Sequence, residues 1–191
     1  MARKKKGLLI VVSGPAGVGK GTVDAALMAK HPEIKMSVSV TTRAPRPGEV
    51  EGVNYFYVTR AKFERMIKKG QLLEHTIYNE NYYGTPLKPV LAAMKKGKDV
   101  IFDIEVDGAS QVKRQYPDAV LIFLKPPSLE ELRRRLEGRG TETPEAIEKR
   151  LARAEIELET ADKYDHVIVN DIVERAADEL RSIIESAHEK Q

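Results

Sequence analysis

A glycine-rich segment near the N-terminus has the residue types of a phosphate-binding loop. Gly14, Gly19 and Lys20 follow the spacing Gly-x4-Gly-Lys, after an apolar run at residues 8–12 and before a helical pattern. Glycines allow backbone torsions that turn successive N–H groups toward one anion, and the lysine adds a full positive charge. We therefore predict that the segment binds a nucleoside triphosphate. Gly21 stands where this motif has Ser or Thr, which leaves open the group that contacts Mg²⁺.

A second segment, residues 37–49, has the chemistry of a site for another phosphate. Arg43 and Arg46 are three residues apart in a stretch stiffened by Pro45 and Pro47. Arginine binds phosphate through two parallel N–H groups, and such a stretch holds two guanidinium groups close together. Taken alone, the segment is equally consistent with a charged surface turn.

Carboxylates further along the chain suggest that the second substrate carries a base with hydrogen-bond donors. Glu74 follows an apolar pair, and Asp103 and Glu105 come at the end of a predicted strand. Open α/β sheets bind ligands at the carboxyl ends of their strands. A carboxylate accepts hydrogen bonds from adjacent N–H and NH₂ groups, which guanine has and adenine lacks.

The elements that position these residues alternate between strands and helices. Short apolar runs predict buried parallel strands at residues 8–12, 100–104, 120–124 and 167–169. Capping and periodicity predict helices at residues 20–30, 61–69, 86–96, 106–115 and 129–137, one from Thr143, and a last one carrying an apolar stripe over 172–187. We predict an α/β fold with a doubly wound parallel sheet flanked by helices. Residues 37–85 are expected to form a small antiparallel insertion, and the Arg-rich residues 133–150 a second one.

Composition limits the classes of partner. The 191 residues fit one domain, and the 32 Lys and Arg exceed the 29 Asp and Glu by the formal charge of +3. Four of these cations lie in residues 1–6, a predicted flexible tail, so the remainder offers no basic surface for nucleic acid. No apolar stretch is long enough to span a bilayer, and the absence of Cys fits a cytoplasmic protein. We expect neither a nucleic-acid nor a membrane partner, and the sequence identifies no protein partner.

Taken together, the sequence resembles the guanylate kinases, nucleoside monophosphate kinases that phosphorylate GMP with ATP, from residue 8 to about residue 184. Five segments carry the resemblance, at residues 13–22, 37–49, 81–86, 126–143 and 167–171. The resemblance implies a P-loop kinase core, a GMP-binding part at residues 37–85 and an Arg-rich lid at residues 133–150.

The resemblance also implies roles for individual residues. It implies ATP contacts from Gly14, Pro15, Ala16, Gly17, Val18, Gly19, Lys20, Gly21, Thr22 and Asn170. It implies that the GMP phosphate is held by Ser39, Arg43, Arg46, Tyr55 and Tyr83, and that guanine is read by Glu74, Thr85 and Glu105. Asp103 would lie near Mg²⁺ that arrives with ATP, through water rather than as a direct ligand. The implied catalytic cations are Lys20, Arg43, Arg135, Arg139 and Arg150.

Two other functions are weighed against this one. A guanylate-kinase-like protein-binding module without catalysis is disfavoured by the intact glycine-rich segment and by Ser39. A P-loop kinase with a different acceptor, such as AMP, is disfavoured by Glu74, Thr85 and Glu105. The expected substrates are therefore ATP and GMP.

Overall fold

The apolar runs of the sequence form the strands of a central parallel sheet. The computed structural model describes residues 6–78, 80–138, 140 and 143–190. The strands within these residues are β1 (Leu9–Ser13), β2 (Lys35–Met36), β3 (Ser39–Thr41), β4 (Tyr55–Tyr57), β5 (Leu72–Tyr78), β6 (Asn81–Pro86), β7 (Val100–Asp103), β8 (Val120–Lys125) and β9 (His166–Val169). The helices are α1 (Lys20–Lys30), α2 (Arg60–Lys68), α3 (Leu87–Lys95), α4 (Val106–Gln115), α5 (Leu129–Glu137), α6 (Pro144–Leu158) and α7 (Val173–Glu189), with a 3₁₀ turn at Ala161–Lys163.

The central sheet brings the ends of distant strands to one edge. Its strand order in the described part of the chain is β2-β7-β1-β8-β9, and every pair is parallel. Val12 at the end of β1 is in register with Asp103 at the end of β7. The loop that follows β1 therefore starts beside the Asp103 carboxylate.

Helices cover both faces of this sheet, which confirms the predicted α/β architecture. Alternate residues of β1 point to opposite faces, so Ile10 packs with Leu27 of α1 and Leu180 of α7. Leu9 instead packs with residues of α3 and α4. Helices α5 and α6 pack against each other through a separate apolar cluster that includes Leu132 and Leu151.

Residues 37–85 form a second sheet, with strand order β4-β3-β6-β5. The pairs β3–β6 and β5–β6 are antiparallel, as expected for the insertion. The β3–β4 pair differs from that expectation because it is parallel, with Ser39 opposite Tyr55. The physical reason is the long connection at residues 42–54, which returns the chain to the starting edge so that β4 runs in the same direction as β3.

Most predicted elements lie within two residues of their observed bounds, and α1, α4 and α5 match to the residue. β2 was not predicted, because it has two residues at the sheet edge and no apolar run of its own. Residues 1–5 of the predicted tail lie outside the described part. Among the described helices, no segment combines the length and apolar character that crossing a membrane requires.

A buried carboxylate ties three elements together at the amino end of the sheet. Asp99, 9% exposed, accepts a hydrogen bond from the backbone N–H of Leu8 at 2.8 Å. Both oxygens of Asp99 lie 2.9 Å from Nε2 of His188 near the end of α7. Asp99 thus links the start of β7 to β1 and to the last helix.

We expect Asp99→Ala to lower the free energy of unfolding by about 2 kcal/mol, or about 4–8 °C in Tm, because the buried Leu8 N–H loses its acceptor. His188→Ala should cost less, since the bond to Leu8 survives. Thermal melts of both variants test this, with exposed Asp118→Ala as the matched control. An unchanged Tm for Asp99→Ala would contradict the structural role.

Candidate active site

A cavity of about 520 Å³ lies between the loop after β1 and the second sheet. This volume is in the usual range for small-molecule sites. The sequence-predicted residues that line it are Ala16, Gly17, Gly19, Lys20, Gly21, Thr22, Ser39, Arg43, Arg46, Tyr55, Glu74, Tyr83, Asp103 and Glu105. Residues from the two dense motifs of the sequence therefore face each other across one space.

The glycine-rich loop, residues 14–21, adopts a backbone that other residues disfavour. Gly14 has φ +146°, and a Cβ there would lie 2.1 Å from the carbonyl oxygen of Leu124 in β8. Gly19 has φ +99° and is the N-cap of α1. The loop thus delivers the positive end of the α1 dipole to the cavity.

Lys20 is folded back into this loop. Its Nζ donates to the carbonyl oxygen of Gly14 at 2.8 Å and lies 3.8 Å from Oδ1 of Asp103. The lysine side chain is 12% exposed and the Asp103 side chain is 36% exposed. The cation and the carboxylate therefore stand together on the wall of the cavity.

Asn170 and Arg135 brace the loop from behind. The side-chain amide of Asn170 donates to the carbonyl oxygen of Val18 at 2.8 Å, and Arg135 Nη1 donates to the same oxygen at 3.0 Å. Arg135 also donates through Nη2 to the backbone oxygen of Asn170 and through Nε to Glu131. Neither side chain lines the 520 Å³ cavity, although the sequence placed both at the nucleotide.

Of the other two predicted lid arginines, the structure describes Arg150 alone. Arg150 of α6 lines a smaller adjoining cavity of about 180 Å³, together with Ala16 and Glu105. Arg139 lies outside the described residues. Gly138 ends α5 as its C-cap.

The guanidinium of Arg43 is held in place by a carboxylate in the same loop. Its Nη2 donates to Oε1 of Glu49 at 2.8 Å, and its Nη1 donates to the carbonyl oxygen of Ala44. Glu49 also accepts from the backbone N–H of Arg46 and the hydroxyl of Tyr57, each at 2.8 Å. The bond from Arg43, followed by the bond from the Arg46 backbone, lowers the pKa of Glu49 to about 2.

The wall of the cavity around Arg43 also includes two tyrosines and one N–H donor of Arg43 itself. The Arg43 guanidinium lies 5.4 Å from the centre of the Tyr55 ring, which meets Tyr83 edge to face at 6.0 Å. The buried Nε of Arg43 has no partner among the described residues. Arg46 is exposed, with its side chain on the rim of the cavity.

Glu74 is buried at the far end of the cavity. It is 4% exposed, and its Oε1 accepts from the hydroxyl of Thr85 at 2.7 Å. Burial raises the pKa of Glu74 to about 7, while the hydrogen bonds from Thr85 oppose the rise. Gly108 makes room for the second oxygen, because a Cβ there would lie 2.9 Å from Oε2.

Asp24 is a second buried carboxylate, on the same face of α1 as Lys20. It is fully buried, and neither oxygen has a partner among the described residues. Burial, and then the negative charge of Asp103, raise the pKa of Asp24 to about 8, whereas Lys20 lowers it. Asp24 is therefore protonated at neutral pH.

Sequence reasoning missed Glu49, Asp24 and Arg153, the last of which lines the cavity of about 180 Å³ beside Arg150. Asp24 is four residues after Lys20, and Arg153 is four before Glu157, spacings that place each pair on one helix face. Glu49 is the last residue of the Arg-containing segment 37–49, but its contact with Arg43 depends on the fold of the loop. Within the described residues, no group of three or more His, Cys, Asp and Glu side chains could hold a metal ion.

Comparisons with known proteins agree on one family. The model of the family described as guanylate kinase matches residues 6–187. The chain is 55% identical to a guanylate kinase of Halalkalibacterium halodurans, over 98% of this chain and 92% of that protein. It is 52% identical to a guanylate kinase of Lactococcus lactis, over 97% and 90% respectively. The crystal structure of guanylate kinase from Anaplasma phagocytophilum is similar with a TM-score of 0.78 and 35% identity, covering 97% of this chain and 88% of that one.

We predict that Asp24→Asn removes a pH-dependent loss of stability. The folded-state pKa of about 8 lies above the ordinary 3.8, so Asp24 contributes less stability as the pH rises from about 4 to about 8. The stability advantage of the variant should grow by about 2–4 kcal/mol between pH 5 and pH 9. Thermal melts across this range measure it. Exposed Asp118→Asn is the control, and a constant difference for Asp24→Asn would refute the buried, protonated state.

Proposed function

The chain belongs to the guanylate kinase family, and on this premise we propose that ATP and GMP meet in the 520 Å³ cavity. The enzyme transfers the γ-phosphate of ATP to GMP and releases ADP and GDP. One observation carries the placement: the same cavity is lined by Lys20 of the glycine-rich loop and by the buried Glu74 of the second sheet.

On the ATP side, the loop from Gly14 to Thr22 holds the phosphates through its backbone N–H groups and the dipole of α1. Lys20 exchanges the Gly14 carbonyl for a phosphate oxygen, a stronger partner for an ammonium group. Asn170 and Arg135 act on ATP through the loop, because both fix the Val18 carbonyl.

The residues near the loop fit a magnesium ion carried by ATP. Asp103 presents a carboxylate to the cavity beside Lys20, and Thr22 is exposed on its wall. Mg²⁺ prefers oxygen ligands and keeps several waters, so one nearby carboxylate suffices when phosphates supply the rest. Gly21 has no hydroxyl to offer, so the groups that would orient the ion are the Thr22 hydroxyl and, through water, the Asp103 carboxylate. Bound Mg²⁺ supplies charge neutralisation on the phosphates.

On the GMP side, the phosphate is bound by Ser39, Arg43, Arg46, Tyr55 and Tyr83. The unpartnered Nε of Arg43 supports this role, because a buried donor gains most from a charged acceptor. Glu49 positions Arg43 by holding its Nη2. Residues 37–85 are accordingly the GMP-binding part of the chain.

Guanine is read by Glu74, Thr85 and Glu105. The Glu74 carboxylate accepts from the adjacent N–H and NH₂ groups of the base, with Thr85 fixing its orientation. Adenine presents an acceptor at the corresponding ring nitrogen and would leave Glu74 buried without a donor, which disfavours AMP.

The transfer itself depends on alignment and charge. Phosphoryl transfer requires the attacking and leaving oxygens in line and cations around the moving group. Arg43 reaches that group from the GMP side and Lys20 from the ATP side. We assign residues 133–150 as the lid, with Arg139 and Arg150 as its cations. We expect this ATP-consuming reaction to take place in the cytoplasm.

A panel of acceptors tests the function. We expect ADP release with ATP and GMP, and far less with AMP, CMP or UMP, in a coupled assay at equal concentrations. Activity confined to AMP would refute the guanine site. Binding of GMP without transfer to any acceptor would favour a binding module instead.

We predict that Glu74 controls the pH dependence of GMP use. Because its pKa of about 7 must be crossed before the carboxylate can accept from guanine, kcat/KM for GMP should rise about tenfold from pH 6 to pH 8. Glu74→Gln should lower kcat/KM by about tenfold to a hundredfold at pH 8 and lose this rise.

Steady-state kinetics at saturating ATP measure both effects. The ionisation of GMP is common to both enzymes and cancels in the ratio of their profiles. Glu64→Gln, a partly exposed α2 carboxylate paired with Arg60, is the matched control and should keep the wild-type profile. Parallel profiles for Glu74→Gln and wild type would exclude Glu74 as the titrating group.

A further inference from the structure

The carboxylate of Glu105 is tied to a helix outside the GMP-binding part. Glu105 is the N-cap residue of α4, yet its side chain makes no capping hydrogen bond. Its Oε2 instead accepts from Nη2 of Arg153 in α6 at 3.3 Å. The Glu105 side chain is 36% exposed and lines the 520 Å³ cavity. A cation from α6 therefore reaches a carboxylate on the cavity wall.

Arg153 is itself fixed by a buried partner. Its Nε donates at 2.7 Å to Oε1 of Glu157, one turn further along α6. Glu157 is 7% exposed, and burying a polar group is costly unless it is hydrogen-bonded. The hydrogen bond to Glu157 thus limits the directions in which the Arg153 guanidinium can point. Its Nη2 is left to donate to Glu105.

This arrangement leaves Glu105 able to bind a ligand. A carboxylate has two oxygens, and Arg153 engages Oε2 alone, so Oε1 stays available to an N–H donor in the cavity. Without Arg153 the half-exposed side chain would sample several rotamers, and ordering it would reduce the affinity for any ligand. Exposed ion pairs contribute little to folding, so the effect of this pair should appear in binding.

We propose that Arg153 is a positioning residue of the guanine site, which fixes the Glu105 carboxylate while Glu157 fixes Arg153. The proposal rests on the proposed function, in which Glu105 receives guanine. Arg153 does not line the 520 Å³ cavity and acts through Glu105. It makes the C-terminal half of α6, beyond the lid residues 133–150, a structural support of base recognition.

A double-mutant cycle tests the proposal. Arg153→Gln keeps a donor for Glu157 but cannot bridge to Glu105, and it should raise both KM and the calorimetric Kd for GMP about threefold to fivefold. The values of kcat, KM for ATP and Tm should stay near wild type. Arg153→Lys should give an intermediate KM for GMP. In the Glu105→Gln background, Arg153→Gln should cause no further rise.

Arg181→Gln is the matched control, because Arg181 pairs with Glu185 at the same four-residue spacing in α7 and does not line the cavity, and it should leave GMP affinity unchanged. An unchanged Kd for GMP in Arg153→Gln would overturn the proposal. So would an equal rise in the Glu105→Gln background, which would show that Arg153 acts elsewhere. Failure of the proposed function is distinct, since the wild-type protein would then not phosphorylate GMP.

Discussion

The approach of the Gly14 backbone to β8 is the constraint on which the rest of the site depends. No side chain fits at this position, because a Cβ would lie 2.1 Å from the Leu124 carbonyl oxygen. The chain can therefore turn directly after β1 and start α1 above the sheet edge, with Lys20 in its first turn. The register of β1 with β7 brings Asp103 to the same edge. The parallel sheet thus aligns the cation and the carboxylate before any ligand binds.

The proposed GMP side of the cavity is organised by a different interaction, a network of charges within one loop. Glu49 accepts from the Arg43 guanidinium, the Arg46 backbone and the Tyr57 hydroxyl, so the loop is ordered around a carboxylate. This order restricts Arg43 to one direction while leaving its Nε unpartnered. Such preorganisation matters for phosphoryl transfer, in which correct placement of the reacting groups supplies much of the rate enhancement.

How well a feature could be predicted from the sequence depended on how close together in the sequence its interacting residues lie. Helix α5 was predicted to the residue because its signals are adjacent: Ser128 caps the N–H of Glu131, and Gly138 ends the helix. The glycine-rich loop was likewise recognisable as one continuous segment. The parallel β3–β4 pair was not, because it depends on the path of a long loop. Nor could the sequence show that Arg135 holds the Val18 carbonyl, a contact between residues 117 positions apart.

Glu74 and Asp24, two of the buried carboxylates, show how burial itself can produce specificity. Glu74 and Asp24 are both desolvated, which raises the pKa of each toward or above neutrality and makes ionisation unfavourable. Asp24 has no partner in the described structure, whereas Glu74 faces the cavity with Thr85 already on one oxygen. A base that brings N–H donors relieves the desolvation of Glu74, and a base that brings an acceptor leaves it uncompensated. In the proposed guanine site, discrimination between purines then follows from the penalty of an unsatisfied buried group, which exceeds the net gain of an ordinary hydrogen bond. Specificity for guanine in the proposed site therefore requires few contacts, provided that the Glu74 carboxylate is shielded from water and correctly oriented.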